Sequence, residues 1–203
     1  VFCSGRTDSG VHAIEQVIHF ETETIRTDRA WLFGGNVNLP SDVNFKWVKV
    51  VSNDFHARFS AFARSYKYKI HHDPVRSSLK ADYFLWEPRP LNIDDMKKAA
   101  SSLVGEHDFS CFRGSLCQAK SPIKTIEYIE IESSRDELII NIKANAFLHH
   151  MVRNIVGTLL KIGRGEKDVN WMNSVLDSKD RKKAGPTAEP QGLYFIKAFY
   201  KEI

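Results

Sequence analysis

Thr125-Ile126-Glu127-Tyr128-Ile129-Glu130-Ile131 is followed by the polar run Ser133-Ser134-Arg135-Asp136 and then by Leu138 to Lys143. Two runs rich in β-branched and aromatic residues, joined by a short polar turn, predict a β-hairpin. Working outward, Ser65-Tyr66-Lys67-Tyr68-Lys69-Ile70 alternates strictly, with Tyr66, Tyr68 and Ile70 on one face and lysines on the other. Phe45-Lys46-Trp47-Val48-Lys49-Val50-Val51 alternates in the same way and predicts another strand. Gln16 to Phe20 and Gly192 to Tyr200 read as strands too.

Helical segments fall between these strands. Asn92 is placed to cap a helix carrying Ile93, Met96, Ala100, Leu103 and Val104, which Gly105 ends. Phe147 to Ile162 has the period of an amphipathic helix, with Leu148, Met151, Val152, Ile155, Leu159 and Ile162 toward the core. Shorter helices are expected from Thr27 to Phe33, stopped by Gly34-Gly35, and from Val169 to Leu176. Phe109 to Pro122 reads as a long loop. Strands and helices do not follow the strict rhythm of a parallel fold. The order predicts an α+β protein with a mostly antiparallel sheet flanked by helices.

The chain has 203 residues, 42% of them hydrophobic and 27% charged, enough to bury a sizeable core as one domain or two small ones. Its 29 Lys and Arg against 25 Asp and Glu give a net charge of +4, a mildly basic balance compatible with nucleic acid. Cys3, Cys111 and Cys117 lack metal-ligand spacing, so zinc is not expected, and reduced thiols in a cytoplasmic protein are. No apolar run approaches the roughly 20 residues that span a bilayer, and no signal peptide is evident.

Near the amino terminus stands Gly5-Arg6-Thr7-Asp8-Ser9-Gly10-Val11-His12-Ala13. It holds a carboxylate and a cation within three residues, bracketed by glycines that suit left-handed backbone or a close approach to a ligand. By residue type alone it is a solvated turn, since Asp and Ser favour turns.

As a string, however, this stretch closely resembles the active-site signature of the TruA family of tRNA pseudouridine synthases, in which the Asp is the nucleophile. Three further stretches match in order: Phe55-His56-Ala57-Arg58-Phe59-Ser60 with Arg64 to Tyr68; Gly105 to Phe109; and Ala144 to Gly157, which contains His149-His150-Met151-Val152-Arg153-Asn154. The likeness ends at Gly192-Leu193-Tyr194. The family has an opening strand and a basic loop before the signature, whereas this chain starts at Val1, so a piece trimmed at its amino end is expected.

The resemblance implies the pseudouridine synthase fold, with two similar subdomains (residues 1–90 and 91–203) sharing a continuous sheet. It implies conversion of uridine to pseudouridine in the anticodon stem-loop of tRNA by a homodimer, without a cofactor. It assigns Asp8 as nucleophile, Arg153 as its paired cation and Tyr66 as the ring that meets the uracil. Arg6 takes the position of an arginine that fills the space the flipped base leaves, and Arg26 that of a second residue implicated in flipping. Phe55, His56, Ala57, Arg58 and Phe59, with Leu116, Cys117, Gln118, Ala119 and Lys120, match segments that touch tRNA. Arg58 and Lys120 would meet phosphates, which position an RNA without reading it. Packing is a competing role for Phe55 and Phe59, and Tyr68 is expected in the core.

Two other features are given plainer roles. His149 and His150, adjacent on a helix, would point apart, so no metal site is expected. Arg181-Lys182-Lys183 reads as a solvated basic turn.

Overall fold

A computed structural model of the chain describes residues 1–201. It contains β1 (Phe2–Cys3), β2 (His12–Ala13), β3 (Ile18–His19), α1 (Asp28–Val37), β4 (Ala63–His71), β5 (Leu85–Trp86), α2 (Ile93–Ser101), β6 (Gly105–Asp108), β7 (Ile123–Ser134), β8 (Glu137–Ala144), α3 (Met151–Gly163), α4 (Trp171–Ser178) and β9 (Leu193–Phe199). The main sheet has the order β2-β9-β4-β8-β7-β6, with β5 added beside the end of β4. Its long pairings, β4 with β8 and β9 and β7 with β8, are antiparallel, while β2 runs parallel to β9. β1 and β3 pair separately. The protein is thus α+β with a mostly antiparallel sheet, as expected.

The expected hairpin is β7–β8. It extends through Ser133 and Ser134, and Arg135 turns it in the left-handed region at φ 50°. In β8, Leu138, Ile140, Ile142 and Ala144 are buried, and the residues between them lie on the half-covered opposite face. The buried face packs on Met96, Ala99 and Leu103 from the α2 region, on Met151, Ile155 and Leu159 of α3, and on Met172 and Val175 of α4. Tyr68 is buried here and donates its hydroxyl to the Glu189 carbonyl at 2.6 Å. Among the described residues no helix is long and apolar enough to cross a membrane.

The structure corrects several local expectations. Phe45 to Val51 forms no strand. The Phe45 N–H and carbonyl are both taken by the Asn36 side chain, at 2.6 and 3.0 Å. Alternation sorts residues to faces but supplies no partner edge. α1 does not stop at Gly34-Gly35 but runs to Val37. The absent side chain of Gly35 makes room for the Phe45 ring, which a Cβ would meet at 2.5 Å. Only Ile18–His19 of the strand expected from Gln16 to Phe20 joins a ladder. α2 ends at Ser101, leaving Val104 exposed, and Gly105 at φ 102° opens the unexpected strand β6. α4 begins two residues late, where Asp168 caps the N–H of Trp171.

The correction that matters most concerns α3. It starts at Met151 rather than Phe147, because His150 is left-handed at φ 61°. Phe147 and Leu148 pack inward without being helical, Phe147 edge-on to Tyr66 and Leu148 in the core. An apolar run alone does not distinguish the two conformations.

Candidate active site

The signature loop is tied at both ends. Ser4 donates its N–H to the Val17 carbonyl at 2.8 Å, and Gln16 bonds the Gly5 backbone on both sides. Beyond it, His12 and Ala13 pair with Tyr194 and Phe195 of β9. Gly10, at φ 81°, presses on Pro190, which a Cβ would meet at 3.1 Å. Between these ties a tight turn, Val11 N–H to Asp8 carbonyl at 3.0 Å, presents the Asp8 side chain.

Three cationic or imidazole groups from the start of α3 converge on Asp8. Arg153 donates Nη1–H to Asp8 Oδ2 at 3.0 Å, His150 Nε2 lies 3.1 Å from the same oxygen, and His149 Nε2 bonds Oδ1 at 3.3 Å. The Asp8 side chain is 32% exposed and that of Arg153 13% exposed, so the carboxylate opens to solvent while its counter-charge sits in the wall. A carboxylate held this way is fixed in place and reachable.

The two histidines do not point apart. Because His150 is left-handed, their rings stack with centroids 3.8 Å apart and both Nε2 atoms face the same carboxylate. Burial, reinforced by His149 and opposed by Asp8, lowers the pKa of His150 below its ordinary value. Gly114 lies against the pair: a Cβ there would stand 2.8 Å from His149 Nδ1 and 3.2 Å from His150 Nδ1.

Asp8, His149 and His150 each offer a ligand atom within 4.8 Å of the others, a possible metal set. The fit is poor. Arg153 already occupies Oδ2, and a guanidinium at that distance opposes a second cation.

Tyr66 stands between Phe147 and Phe195, edge-on to both with centroids 4.9 and 5.2 Å away. Burial, together with the Asp8 charge, pushes its phenol up to about 12 against the pull of Arg64, so it remains a neutral hydroxyl in ordinary buffers. Gly5 of the signature lies beside it, where a Cβ would stand 3.8 Å from the Tyr66 oxygen.

The sequence pattern of a family described as tRNA pseudouridine synthase matches residues 99–201. Over 200 residues the chain is 50% identical to the tRNA pseudouridine synthase A of Hydrogenovibrio crunogenus, covering 98% of this chain and 76% of that protein. The chain belongs to the tRNA pseudouridine synthase family. It is 48% identical over 202 residues to the Actinobacillus succinogenes protein of that name, covering 100% and 76%, and 48% identical over 200 residues to that of Pseudomonas aeruginosa, covering 98% and 70%.

The residues that the family resemblance assigns to RNA are distributed unevenly in this synthase. Arg6 is exposed on the signature loop. Arg26 is exposed ahead of α1, its guanidinium 5.5 Å from the Trp31 ring centre. Phe55 and Ala57 are buried with Val17, and the Ala57 carbonyl accepts from the Tyr200 hydroxyl at 2.6 Å. His56 is half-buried, and its Nδ1 accepts the N–H groups of Arg58 and Phe59 at 3.1 and 3.3 Å. That turn pushes Phe59 out, 75% exposed, with Arg58 over its ring.

In the second segment Leu116 is 81% exposed, Gln118 and Lys120 are exposed, and Cys117 and Ala119 are half-buried. Arg113 shapes this loop by donating Nη2–H to the carbonyls of Cys117 and Ala119, each at 2.9 Å. The Cys117 sulfur in turn accepts the His149 N–H at 3.4 Å, which joins this loop to the Asp8 cluster.

Sequence reasoning passed over His149, His150, Gly114 and Arg113 as site residues. The signal was present in the His-His pair, but a helical reading of Phe147–His150 turned the rings away from each other.

Proposed function

We propose that the chain isomerises uridine to pseudouridine in the anticodon stem-loop of tRNA, with Asp8 as nucleophile. The reaction breaks the bond between N1 and the ribose, turns the base, and joins C5 to the same sugar carbon. The C5 hydrogen leaves as a proton and N1 ends protonated, so atoms balance without any redox partner. A carboxylate nucleophile must be ionised and fixed before the base arrives. The observation that carries the reading is a partly exposed Asp8 held at both oxygens, by Arg153 and by His149.

In this reading Arg153 pairs with Asp8 and aims it, and Tyr66 meets the uracil with its ring while its neutral hydroxyl serves as a hydrogen-bond donor. A base inside a stem must first leave its stack, at a cost of a few kcal/mol. Arg6 and Arg26 are the residues we assign to that step. Exposed Phe59, Arg58, Leu116 and Lys120 suit the shape-and-backbone recognition that RNA stems allow. By the same family likeness the enzyme is read as a cytoplasmic homodimer.

The test is tritium release from tRNA carrying [5-³H]uridine, with wild type beside Asp8→Asn. Release by wild type alone, with tRNA binding kept by the nearly isosteric variant, is the expected result. Turnover by Asp8→Asn would sink the nucleophile assignment. Binding without release by either protein would instead describe a tRNA-binding module without chemistry.

A further inference from the structure

Arg181 belongs to the run expected to be a solvated basic turn, and the structure shows otherwise. Its guanidinium is turned inward. Nη1 donates to the Gly185 carbonyl at 2.8 Å, and Nη2 to Asn154 Oδ1 at 2.9 Å and Thr187 Oγ1 at 3.0 Å. Asn154 and Thr158 of α3 are wholly buried, and every link around them is made. Asn154 Nδ2 donates to the Phe112 carbonyl, Thr187 Oγ1 to Asn154 Oδ1, Thr158 Oγ1 to the Asn154 carbonyl, and the Gly185 N–H to Thr158 Oγ1. A buried polar network completed in this way has one arrangement rather than several.

The next residues of the same loop reach the reacting centre. Ala188 donates its N–H to the Arg153 carbonyl at 3.1 Å and accepts Arg153 Nε–H at 2.7 Å. The Arg153 guanidinium therefore has two fixed ends, the Ala188 carbonyl on Nε and Asp8 on Nη1. Loop and helix are in backbone contact, since a Cβ on Gly157 would lie 1.7 Å from the Pro186 carbonyl oxygen. Thr187 links the loop to Asn154 and to Arg181. Arg181 itself joins Gly185, Asn154 and Thr187.

We propose that Arg181 is a positioning residue for the isomerisation: it locks residues 184–188 so that the Ala188 carbonyl aims the Arg153 guanidinium at Asp8. The proposal rests on the roles given above to Asp8 and Arg153. It requires the planar fork of arginine, because a lysine keeps the charge but has one donor nitrogen in place of the two that bond here. A misplacement of about 1 Å at a reacting group costs about 100-fold in rate.

The experiment compares wild type, Arg181→Lys, Arg181→Ala and Val175→Ala, the last a core truncation in α4 that takes no part in the hydrogen bonds described above. Tritium release is measured at temperatures chosen for equal folded fraction. The expected result is a kcat loss of about 10- to 100-fold for both Arg181 variants, with KM for tRNA nearly unchanged. Added methylguanidinium should restore part of the rate to Arg181→Ala and none to Val175→Ala. A kcat loss no larger than that of Val175→Ala, or one carried in KM alone, overturns the proposal. Hydrogen exchange at the Ala188 N–H reads the same link without catalysis. Faster exchange in Arg181→Lys supports the proposal and unchanged protection refutes it. If wild type itself releases no tritium, the assignment of the reaction fails, and the exchange result still decides whether Arg181 holds the loop.

Discussion

Replacing Gly157 by Ala sets two opposite effects against each other. Gly157 is inside α3, where Ala is the better helix former by about 1 kcal/mol. The new Cβ, however, would lie 1.7 Å from the Pro186 oxygen and 2.9 Å from its carbon, where ordinary contact begins at 3.4 Å. Roughly 1.7 Å must be opened between two backbones, and no rotamer change supplies it. Overpacking of this kind costs about 1–3 kcal/mol, occasionally more. Moving the loop also strains the bonds from Gly185 N–H to Thr158 and from Arg153 to the Ala188 carbonyl, each worth about 1 kcal/mol and the charged one up to about 3. The steric side wins. Gly157→Ala should be less stable by about 2–4 kcal/mol in urea unfolding and slower by about 100-fold in tritium release, while tRNA binding changes little. A variant at least as stable as wild type with full turnover would mean that helix propensity decides and that the loop does not rest on α3 as described.

Three further variants have expected outcomes. Arg153→Ala removes the charged partner of Asp8 and the donor to Ala188, so turnover should fall by about 10- to 150-fold, from a charged hydrogen bond of about 1.5–3 kcal/mol. Lys120→Ala, exposed and distant in role, should weaken tRNA binding slightly and flatten its salt dependence; equal, mild effects of the two would deny Arg153 its place at Asp8. His150 is held below its ordinary pKa by burial and by its neighbour His149, so on acidification the unfolded chain takes up that proton first. Its contribution is fully present above pH about 6.5 and is lost as pH falls through the lower folded-state value. Melting temperature should therefore drop between pH 7.5 and 5.5 less steeply in His150→Gln than in wild type, and identical slopes would contradict this.

Much of the fold could be read directly. The β7–β8 hairpin, the Asn92 cap of α2 and the faces of β4 follow from local residue chemistry, which is why pattern reasoning reaches them. Phe45 to Val51 shows the limit: its alternation is real, but the Asn36 side chain takes the backbone groups a ladder would need. The candidate site was legible where a motif names residues, as at Asp8 and Arg153. It was not legible where one backbone angle decides. His150 at φ 61° converts two divergent imidazoles into a stacked pair on one carboxylate, and nothing in residues 147–150 announces that conformation. Arg181 was misread for a related reason, since a basic run looks solvated until the acceptors folded over it are known.

β9, the last strand in the chain, lies inside the sheet between β2 and β4 rather than at its edge. Its pairing with His12–Ala13 is one tie of the loop that presents Asp8, and the residues just before it hold Arg153. The Asp8–Arg153 contact closes a span of 145 residues, an ordering cost of about 4 kcal/mol in loop entropy that the packed sheet and helices offset. Without β9 the loop that carries Asp8 loses its tie at His12–Ala13, so the far end of the described chain is part of what holds that carboxylate in place.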